Sequence, residues 1–467
     1  MDTPPPAPHD TAPAHATLRK NYLSGFENVA QTLGTMAPTG TLGVVLPLII
    51  GKSGNATWLL FLVVLGICLL ILVNINVFAK KSASSGGIAT FAALGLGRSA
   101  GIANGWIYFG AMMFAAASSA PSGAYYACLL ITQFTGIANT VALQALVTTA
   151  IVAAAGWTAF RDIKLSSDVM IVIEVTSLAV MIAIIAVAMH SGGTWVDRPQ
   201  LTLQGSTPGL FTSGLVLAFL TLGGFESATT LGEEAKDAET TIPNAIMRCV
   251  VPLGVLYLVM TYLLVGLGRK YGIALDQLEA PFDTIARANH MGLLGAASSA
   301  GVAMSYFACT LGSINAGSRT LYSMAERGLF PAPFAVAHRR NATPDKAIWV
   351  ISVLAILAPV GVLVSGISLV SCIDYLSQLA ALGFIGAYFM VCLAAPYYLR
   401  KSGQLGAAGV LFSVAALLLL TGVLLLSVYP VPSAPACYLP YVFAALTAGG
   451  CAYSLTLQTR AAALGTP

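Results

Sequence analysis

The chain has 467 residues, of which 57% are hydrophobic and only 9% are charged, and its formal net charge is +4. Soluble domains carry about 25% charged residues, so the composition excludes an ordinary water-soluble fold and indicates an integral membrane protein. The small net charge gives no indication of a nucleic-acid partner. The cysteines lie mostly in apolar segments without CxxC spacing, which argues against a disulfide or zinc framework.

The first 17 residues, MDTPPPAPHDTAPAHAT, are rich in Pro, Ala and Thr, and we expect them to form a disordered cytoplasmic tail. No basic stretch followed by a short apolar one opens the chain, so no signal peptide is predicted. Runs of about 20 apolar residues, the length that crosses a bilayer, then predict twelve transmembrane spans. These spans cover residues 28–50, 57–79, 100–131, 139–160, 168–189, 209–232, 244–268, 292–325, 346–366, 368–396, 405–428 and 437–458.

Lysine and arginine are distributed unevenly between the loops on the two sides of these spans. With the N-terminus in the cytoplasm, the inner loops hold most of them, including the pairs Lys80–Lys81 and Arg339–Arg340. The outer loops keep few, such as Lys52 and Arg198. Because positive residues favour the cytoplasmic side, we predict a multi-pass protein of the cell membrane (plasma or inner) with both termini inside.

Spans 1 and 6 each contain an interruption. Span 1 carries Pro38 and Gly40 at mid-membrane, and span 6 carries Gly223-Gly224 followed by Glu226. If spans 1–5 and 6–10 are two repeats of opposite topology, the interruptions fall in the first helix of each repeat. Matched interruptions in two inverted halves indicate the central binding site of a transporter.

The interruptions also limit the chemistry of the ligand. Unwinding a helix in lipid leaves N–H and C=O groups that must find partners. Freed N–H groups at the start of a half-helix suit a carboxylate, and freed carbonyls suit an ammonium group or a metal cation. An α-amino acid carries both kinds of charge and therefore fits such a site.

Three stretches resemble the amino acid–polyamine–organocation (APC) superfamily of transporters, in the manner of an amino acid permease. GGFESATTLGEEAKDAETTIPNAI (223–246) is similar to its span-6 signature. SINAGSRTLYSMAERGLFPAPFAVAHRRNATPDKA (313–347) resembles the end of span 8 and the following loop, and KKSASSGGIATFAALGLGRSAGIANGW (80–106) resembles the entry to span 3. The resemblance covers roughly residues 20–400.

This resemblance implies an all-α membrane protein with the leucine-transporter (LeuT) type fold. That fold has two inverted five-helix repeats, which would form a transport core over 18–400, while 401–467 would add spans 11 and 12 and a short cytoplasmic C-terminus. In the family the substrate carboxylate binds the backbone of the helix-1 break and the amino group meets helix-6 carbonyls. These positions correspond here to Pro38, Thr39, Gly40, Thr41, Leu42, Leu222, Gly223 and Gly224.

Further candidate pocket residues lie beside these positions or on span 3. They are Tyr108, Met112, Phe219 and Phe225, with Tyr306 on span 8 as another possibility, although aromatic and Met residues at this depth often serve packing alone. Many family members have Gly-Ser-Gly at the helix-1 break, whereas this chain has Gly40-Thr41-Leu42. The leucine is compatible with a smaller or less usual substrate, and Pro38 can supply the missing flexibility because it lacks a backbone donor.

Acidic residues within the spans are candidates for coupling or gating. Glu174 and Glu226 are the deepest, and each is either a coupling residue or a structural hydrogen-bond anchor. Asp374 is expected to reach an outer aqueous vestibule. After span 6, Glu233, Glu234, Asp237 and Glu239 are expected to form a solvated loop that begins span 7, and Arg319 is expected to pair with an acid or to reach the interface.

Span 5 carries the residue from which we predict how transport is coupled to an ion gradient. Many proton-coupled or sodium-independent relatives carry a lysine midway along that span, and the aligned residue here is Glu174. A carboxyl group can carry a proton or help to bind Na⁺, and Thr310 and Ser313 share one face of span 8 and can add oxygen ligands. We place proton coupling first, sodium coupling second and uncoupled exchange third.

The sequence thus predicts a secondary active transporter of an amino acid or related amine, working by symport or antiport, with no cofactor and no dedicated metal site. An enzyme is disfavoured because neither an HExxH motif nor a Ser/His/Asp group is visible. A channel is less favoured because no filter sequence is present, and a membrane sensor because no soluble output domain follows the spans. The expected partners are a small-molecule substrate, a proton or Na⁺, and the lipid bilayer.

Overall fold

A computed structural model describes residues 16–275, 280–429 and 431–463. Regular structure in these residues is helical, apart from a single bridge that pairs Leu23 with Ala235. The predicted tail, 1–17, lies almost wholly outside the described residues. The longer helices are α1 (Gly25–Met36), α2 (Leu46–Ser53), α3 (Thr57–Ala79), α4 (Gly87–Leu96), α5 (Arg98–Thr135), α6 (Val141–Arg161), α7 (Ile163–His190), α8 (Pro208–Thr221), α9 (Ala238–Tyr271), α10 (Gly292–Glu326), α11 (Asp345–Val364), α12 (Leu369–Lys401), α13 (Ala407–Val428) and α14 (Leu439–Ala463).

Within the described residues, ten helical runs are long and apolar enough to cross a membrane. The first of them, Gly25–Ala79, contains both predicted spans 1 and 2, because only one-turn segments separate α1, α2 and α3. The helix in predicted span 6, Pro208–Thr221, has only 14 residues, since it ends at the interruption. The all-helical membrane fold is therefore confirmed, while the count of twelve spans stays a prediction.

The first interruption lies at Ala37, between α1 and the short helical turn Pro38–Gly40. Ala37 adopts a left-handed backbone with φ of 44°, and its N–H bonds back to the carbonyls of Leu33 and Gly34 at 3.2 Å. The helix begins again at Pro38, which has no backbone N–H to donate. We call the segment that starts at Pro38 the restarted helix. Gly40 has ordinary helical angles, φ −59° and ψ −47°, and is followed by a π-helical segment, Thr41–Val45. The left-handed residue is thus Ala37, directly before the predicted Pro38, while Gly40, also predicted at the interruption, lies in regular helix.

The second interruption lies where the sequence predicts it. Helix α8 ends at Thr221, and turns lead to a 3₁₀ segment, Ser227–Leu231. Gly224 has φ of 84°, and a Cβ there would lie 2.8 Å from Cγ2 of Thr35 in α1. Glycine is therefore required at 224 both for its backbone angle and for the close approach of the two interrupted helices.

Helices α5, α10 and α12 pack closely behind the interruptions because small residues line their contacts. A Cβ on Gly383 of α12 would lie 2.7 Å from the Cβ of Ala111 in α5. A Cβ on Gly123 of α5 would lie 3.1 Å from the carbonyl oxygen of Ala303 in α10. Small residues allow such close approach of membrane helices, and this packing holds the walls of the candidate site in place.

Candidate functional site

A cavity of about 470 Å³ lies between the two interrupted helices. Its walls come from the first interruption, α5, α8, α10 and α12. At one end it reaches exposed residues, among them Lys52, Val370 and Asp374, and we call this end of the molecule the Lys52 end. The predicted exposure of Asp374 to an aqueous vestibule agrees with its place at this mouth.

The deep part of the cavity combines small, hydroxyl and apolar side chains. Helix α5 contributes Ala115, Ser118, Ser119 and Ser122. The same helix adds Tyr126, and the remaining walls include Thr35, Met36, Thr41, Leu220, Thr221, Tyr306, Cys309, Ala380 and Phe384. The charged residues of this lining are Lys52 and Asp374, both at the mouth. A ligand in the deep part would therefore contact hydroxyl groups and apolar surface rather than an ionised side chain.

The structure separates the residues that the sequence proposes for substrate binding. Thr41 and Gly223 line the cavity, as does Tyr306. The others lie outside its lining: Pro38, Thr39, Gly40, Leu42, Tyr108, Met112, Phe219, Leu222, Gly224 and Phe225. Leu42 is fully buried away from the cavity, so it does not reduce the space for a ligand. Met112 faces α10, where a Cβ on Gly317 would lie 3.1 Å from its own Cβ.

Glu174 of α7 is fully buried against the restarted helix at the first interruption. Its Oε2 accepts hydrogen bonds from the backbone N–H of Thr39 at 3.4 Å and from the Thr39 hydroxyl at 3.2 Å. Its Oε1 accepts from the hydroxyl of Ser305 at 2.5 Å, and that hydroxyl in turn accepts from the N–H of Gly40 at 3.0 Å. Glu174 and Ser305 thus bind the donors that the helix restart leaves free.

Glu226 occupies a comparable position at the second interruption. The backbone N–H of Gly224 donates to the hydroxyl of Tyr388 in α12 at 3.0 Å, and this hydroxyl donates to Oε2 of Glu226. The carbonyl of Gly224 accepts from the N–H of Ser227 at 3.0 Å. The hydroxyl of Tyr108 in α5 lies beside the carboxyl group of Glu226.

The proposed oxygen ligands on α10 lie near the cavity but are not bonded to Glu174. The Thr310 hydroxyl donates to the carbonyl of Tyr306 at 2.8 Å and lies 3.0 Å from the hydroxyl of Ser119. The Ser313 hydroxyl is buried and has no partner among the described residues. Thr310 therefore belongs to the α5–α10 contact.

The end of the molecule opposite Lys52 is closed by a buried ion pair, and we call it the Arg319 end. The Nε and Nη2 atoms of Arg319 donate to the two carboxylate oxygens of Glu234 at 2.5 and 3.1 Å, and the two side chains are 0% and 1% exposed. The Glu234 carbonyl also accepts from the N–H groups of Tyr22 and Leu23 at 2.7 and 2.8 Å. This contact joins α10, the segment after α8 and the N-terminal segment.

The predicted pairing of Arg319 with an acid is correct, whereas the predicted solvated acidic loop is only partly so. Asp237 and Glu239 are exposed, as expected. Glu234 is buried in the ion pair, and Glu233 accepts hydrogen bonds from the N–H and hydroxyl of Ser85 at 3.2 and 2.9 Å. Glu233 and Glu234 thus bond to other segments of the protein instead of facing water, because this part of the loop packs against α10 and the residues that precede α1 and α4.

Sequence reasoning missed several residues of the site. Ser305 and Tyr388, which carry the hydrogen bonds at the two interruptions, stand in apolar helices without a motif around them. The serines of α5 occur in the run AAASSAPSGA (115–124), whose concentration of small residues indicates close packing. That run indicates a helix next to a cavity, but the sequence alone does not show which of its serines face the cavity.

These features define a class of protein: a multi-pass membrane transporter with the LeuT-type fold. The solved structure of MhsT in complex with L-phenylalanine matches this chain with a TM-score of 0.60 and 14% sequence identity. The match covers 87% of this chain and 99% of MhsT. At this identity the likeness shows the fold alone.

The model of the amino acid permease family matches residues 28–455, which is most of the chain. The protein therefore belongs to the amino acid permease family, a family of membrane transporters, and the predicted family is confirmed.

Three curated relatives differ in what they transport. Branched-chain amino acid permease BcaP of Lactococcus lactis subsp. cremoris (strain MG1363) is 26% identical over 273 residues, 58% of this chain and 55% of the relative. BcaP of Bacillus subtilis (strain 168) is 21% identical over 406 residues, covering 83% and 82%. The low-affinity putrescine importer PlaP of Escherichia coli (strain K12) is 24% identical over 298 residues, covering 60% and 61%. The chain thus aligns with little more than half of the first of these relatives.

Proposed function

We propose that the protein is a secondary active transporter that moves an amino acid or related amine across the cell membrane by alternating access. The observation that carries the proposal is the cavity between the two interrupted helices, which opens at the Lys52 end and is closed at the Arg319 end. A site with one open and one closed end is what alternating access requires of each of its states. A channel would instead need a continuous path.

The size and lining of the cavity fit a small organic molecule. Small residues of α5 leave room, while Met36, Leu220 and Phe384 offer apolar surface. The hydroxyls of Thr41, Ser118 and Ser119 offer a few polar contacts, a mixture typical of small-molecule sites. Of the residues named from the sequence, Thr41, Gly223 and Tyr306 are the ones we retain as contacts.

The proposed driving force is a proton gradient. Glu174 is buried beside the first interruption and accepts hydrogen bonds from Thr39 and Ser305. A change in its protonation would therefore change its hydrogen bonds to the restarted helix. Sodium symport is the second candidate, with the buried Ser313 hydroxyl as a free oxygen ligand. Uncoupled exchange is the third.

The proposed orientation places the Arg319 end in the cytoplasm, so that the described state faces outward. Reporter fusions after residues 195 and 335 should then report outside and inside, respectively. The opposite pattern would reverse the orientation and the direction in which the cavity opens.

Uptake by proteoliposomes tests the function. The purified protein is reconstituted, labelled amino acids and amines are supplied outside, and an inward proton gradient, an inward Na⁺ gradient or no gradient is imposed. We expect saturable accumulation above equilibrium under the proton gradient. A channel would equilibrate the substrate without accumulation, and a sensor would bind a ligand without moving it.

A further inference from the structure

The donors at the start of the restarted helix are already bonded within the protein. Pro38 has no N–H, the N–H of Thr39 donates to Glu174 at 3.4 Å, and the N–H of Gly40 donates to Ser305 at 3.0 Å. The N–H of Thr41 donates to the carbonyl of Ala37 at 2.9 Å. Helix starts bind anions through such N–H groups, and here the carboxylate that they bind is the protein's own.

Tyr306 separates this carboxylate from the cavity. Its ring lies against Gly40, where a Cβ would come within 3.0 Å of the ring carbons, and its hydroxyl donates to the Gly40 carbonyl at 3.2 Å. Tyr306 lines the cavity, whereas Glu174, Thr39 and Gly40 do not. A ligand in the cavity therefore meets the face of an aromatic ring where a free helix start would otherwise offer donors.

The groups around the cavity disfavour a ligand carboxylate. Glu174 and Glu226 are both fully buried, and neither forms an ion pair with a described residue. The cationic side chain of the lining is Lys52, at the mouth and exposed. A ligand carboxylate in the deep part would be desolvated without a cation or a backbone donor to receive it, which is unfavourable. An ammonium group would meet hydroxyl oxygens, aromatic faces and nearby acids instead.

We propose that Glu174 takes the place of the substrate carboxylate and that the transported substrate is an amine without an α-carboxylate. The inference rests on the proposed transport function and specifies the substrate class of the same cavity. It departs from the two-point recognition that the sequence suggests, in which the helix-1 break would bind a carboxylate. In this protein Glu174 of α7 would occupy the position that binds the carboxylate.

Matched pairs of compounds test the substrate class on the unmodified protein. Each pair is an amino acid and the amine that differs from it by loss of the carboxylate: leucine and 3-methylbutylamine, phenylalanine and 2-phenylethylamine, ornithine and putrescine, lysine and cadaverine. Binding is measured by thermal shift of the purified protein, and transport by uptake into proteoliposomes. We expect at least one amine to bind and to be taken up at least about tenfold better than its amino acid, because a carboxylate without a partner is rejected.

The outcomes distinguish this inference from the proposed function. If an amino acid is taken up as well as its amine or better, the inference is overturned and the transport function stands. If no compound of the series or of a wider set of amino acids and amines is taken up, both are overturned.

A double variant tests the role of Glu174 directly. Glu174→Ala with Ser305→Ala frees the N–H groups of Thr39 and Gly40, so we expect the preference for amine over amino acid to fall by at least about tenfold. The matched control is Glu239→Ala with Ser298→Ala, which removes an exposed acid and a serine of α10 that bonds to its own helix. An unchanged preference in a folded double variant would overturn the assignment to Glu174, and the comparison of matched pairs remains decisive if the variant does not fold.

Discussion

The two interruptions differ in their left-handed residue and in the group that bonds their backbone. At the first, the left-handed residue is Ala37, and the carboxylate of Glu174 accepts from the N–H of Thr39. At the second, the left-handed residue is Gly224, and its own N–H donates to the phenol of Tyr388. The partner helix is α7 in the first case and α12 in the second. These are the last helices of the two predicted repeats, so each interruption is bonded by the equivalent helix of its own repeat.

The difference between the two interruptions lies in charge. Glu174 bonds the backbone of Thr39 directly, whereas Glu226 reaches the backbone of Gly224 through the neutral hydroxyl of Tyr388. A proton that binds Glu174 would remove an acceptor from the restarted helix, while the hydroxyl of Tyr388 would still accept from Gly224. The comparison therefore predicts that protonation would change the backbone contact at the first interruption more than the one at the second.

Replacing Gly224 or Gly40 with leucine should give the largest effects on binding and uptake. Gly224→Leu is expected to abolish substrate binding and uptake, and Gly40→Leu to impair both less completely. Position 224 requires left-handed backbone, which costs a residue with a Cβ about 1–2 kcal/mol, and overpacking against Thr35 adds about 1–3 kcal/mol. Gly40 is helical, so only the contact with Tyr306 opposes a side chain there.

The measurement is uptake, together with a check that each variant reaches the membrane. Gly422→Leu in α13 is the control, since no heavy atom lies within 4 Å of a Cβ at that position. Normal transport by Gly224→Leu would show that the second interruption is not part of the site.

Glu174→Gln should separate binding from coupling. The amide keeps an acceptor for Thr39 but cannot exchange a proton, so we expect binding to persist and gradient-driven accumulation to be lost. One unit of imposed pH difference can drive up to about tenfold accumulation per coupled proton, and the variant should show none of it. Uptake is compared with that of Glu239→Gln, an exposed acid. Continued accumulation under a proton or sodium gradient would make Glu174 a structural acid only.

Tyr388→Phe should lower stability without removing the site. The change leaves the buried N–H of Gly224 and the carboxyl of Glu226 without their shared partner, and a buried group left unpaired costs about 1–3 kcal/mol. Thermal unfolding in detergent measures the loss, with Tyr397→Phe as the control because that tyrosine of α12 is exposed. Equal stability of the two variants would mean that the phenol does not hold the second interruption.

Ala37→Gly should have the smallest effect. Glycine relieves a left-handed conformation that costs alanine about 1–2 kcal/mol, but it also increases the entropy of the unfolded chain by about 0.4–1 kcal/mol. We therefore expect stability to rise by no more than about 1.6 kcal/mol. Gly224→Ala, the reciprocal change, should lower it, and thermal unfolding of both variants measures the contrast. A loss of stability in Ala37→Gly would mean that the methyl group of Ala37 contributes more by packing than its backbone costs.

Much of the architecture was predictable from the residues, since a membrane helix depends on its own length and composition. The second interruption was predicted at the correct glycines, because no other residue tolerates that backbone as well. The first was predicted at Pro38 and Gly40, whereas the left-handed residue is Ala37, directly before Pro38; alanine does not favour left-handed backbone, and only the surrounding contacts hold it there. Most of the predicted pocket residues lie outside the cavity, because a helix that is apolar on all sides carries no pattern that tells which face lines it.

The sequence by itself determined that the protein lies in a membrane, that it is helical, that two of its helices are interrupted, and that Glu174 and Glu226 lie at depth. These properties depend on hydropathy and on local backbone preferences, which neighbouring residues express directly. Only the tertiary structure decided that Glu174 meets Thr39, that Tyr388 joins Gly224 to Glu226, and that Glu234 is buried against Arg319. Each of these contacts joins a donor and an acceptor far apart in the chain, and their pairing follows from how the helices pack.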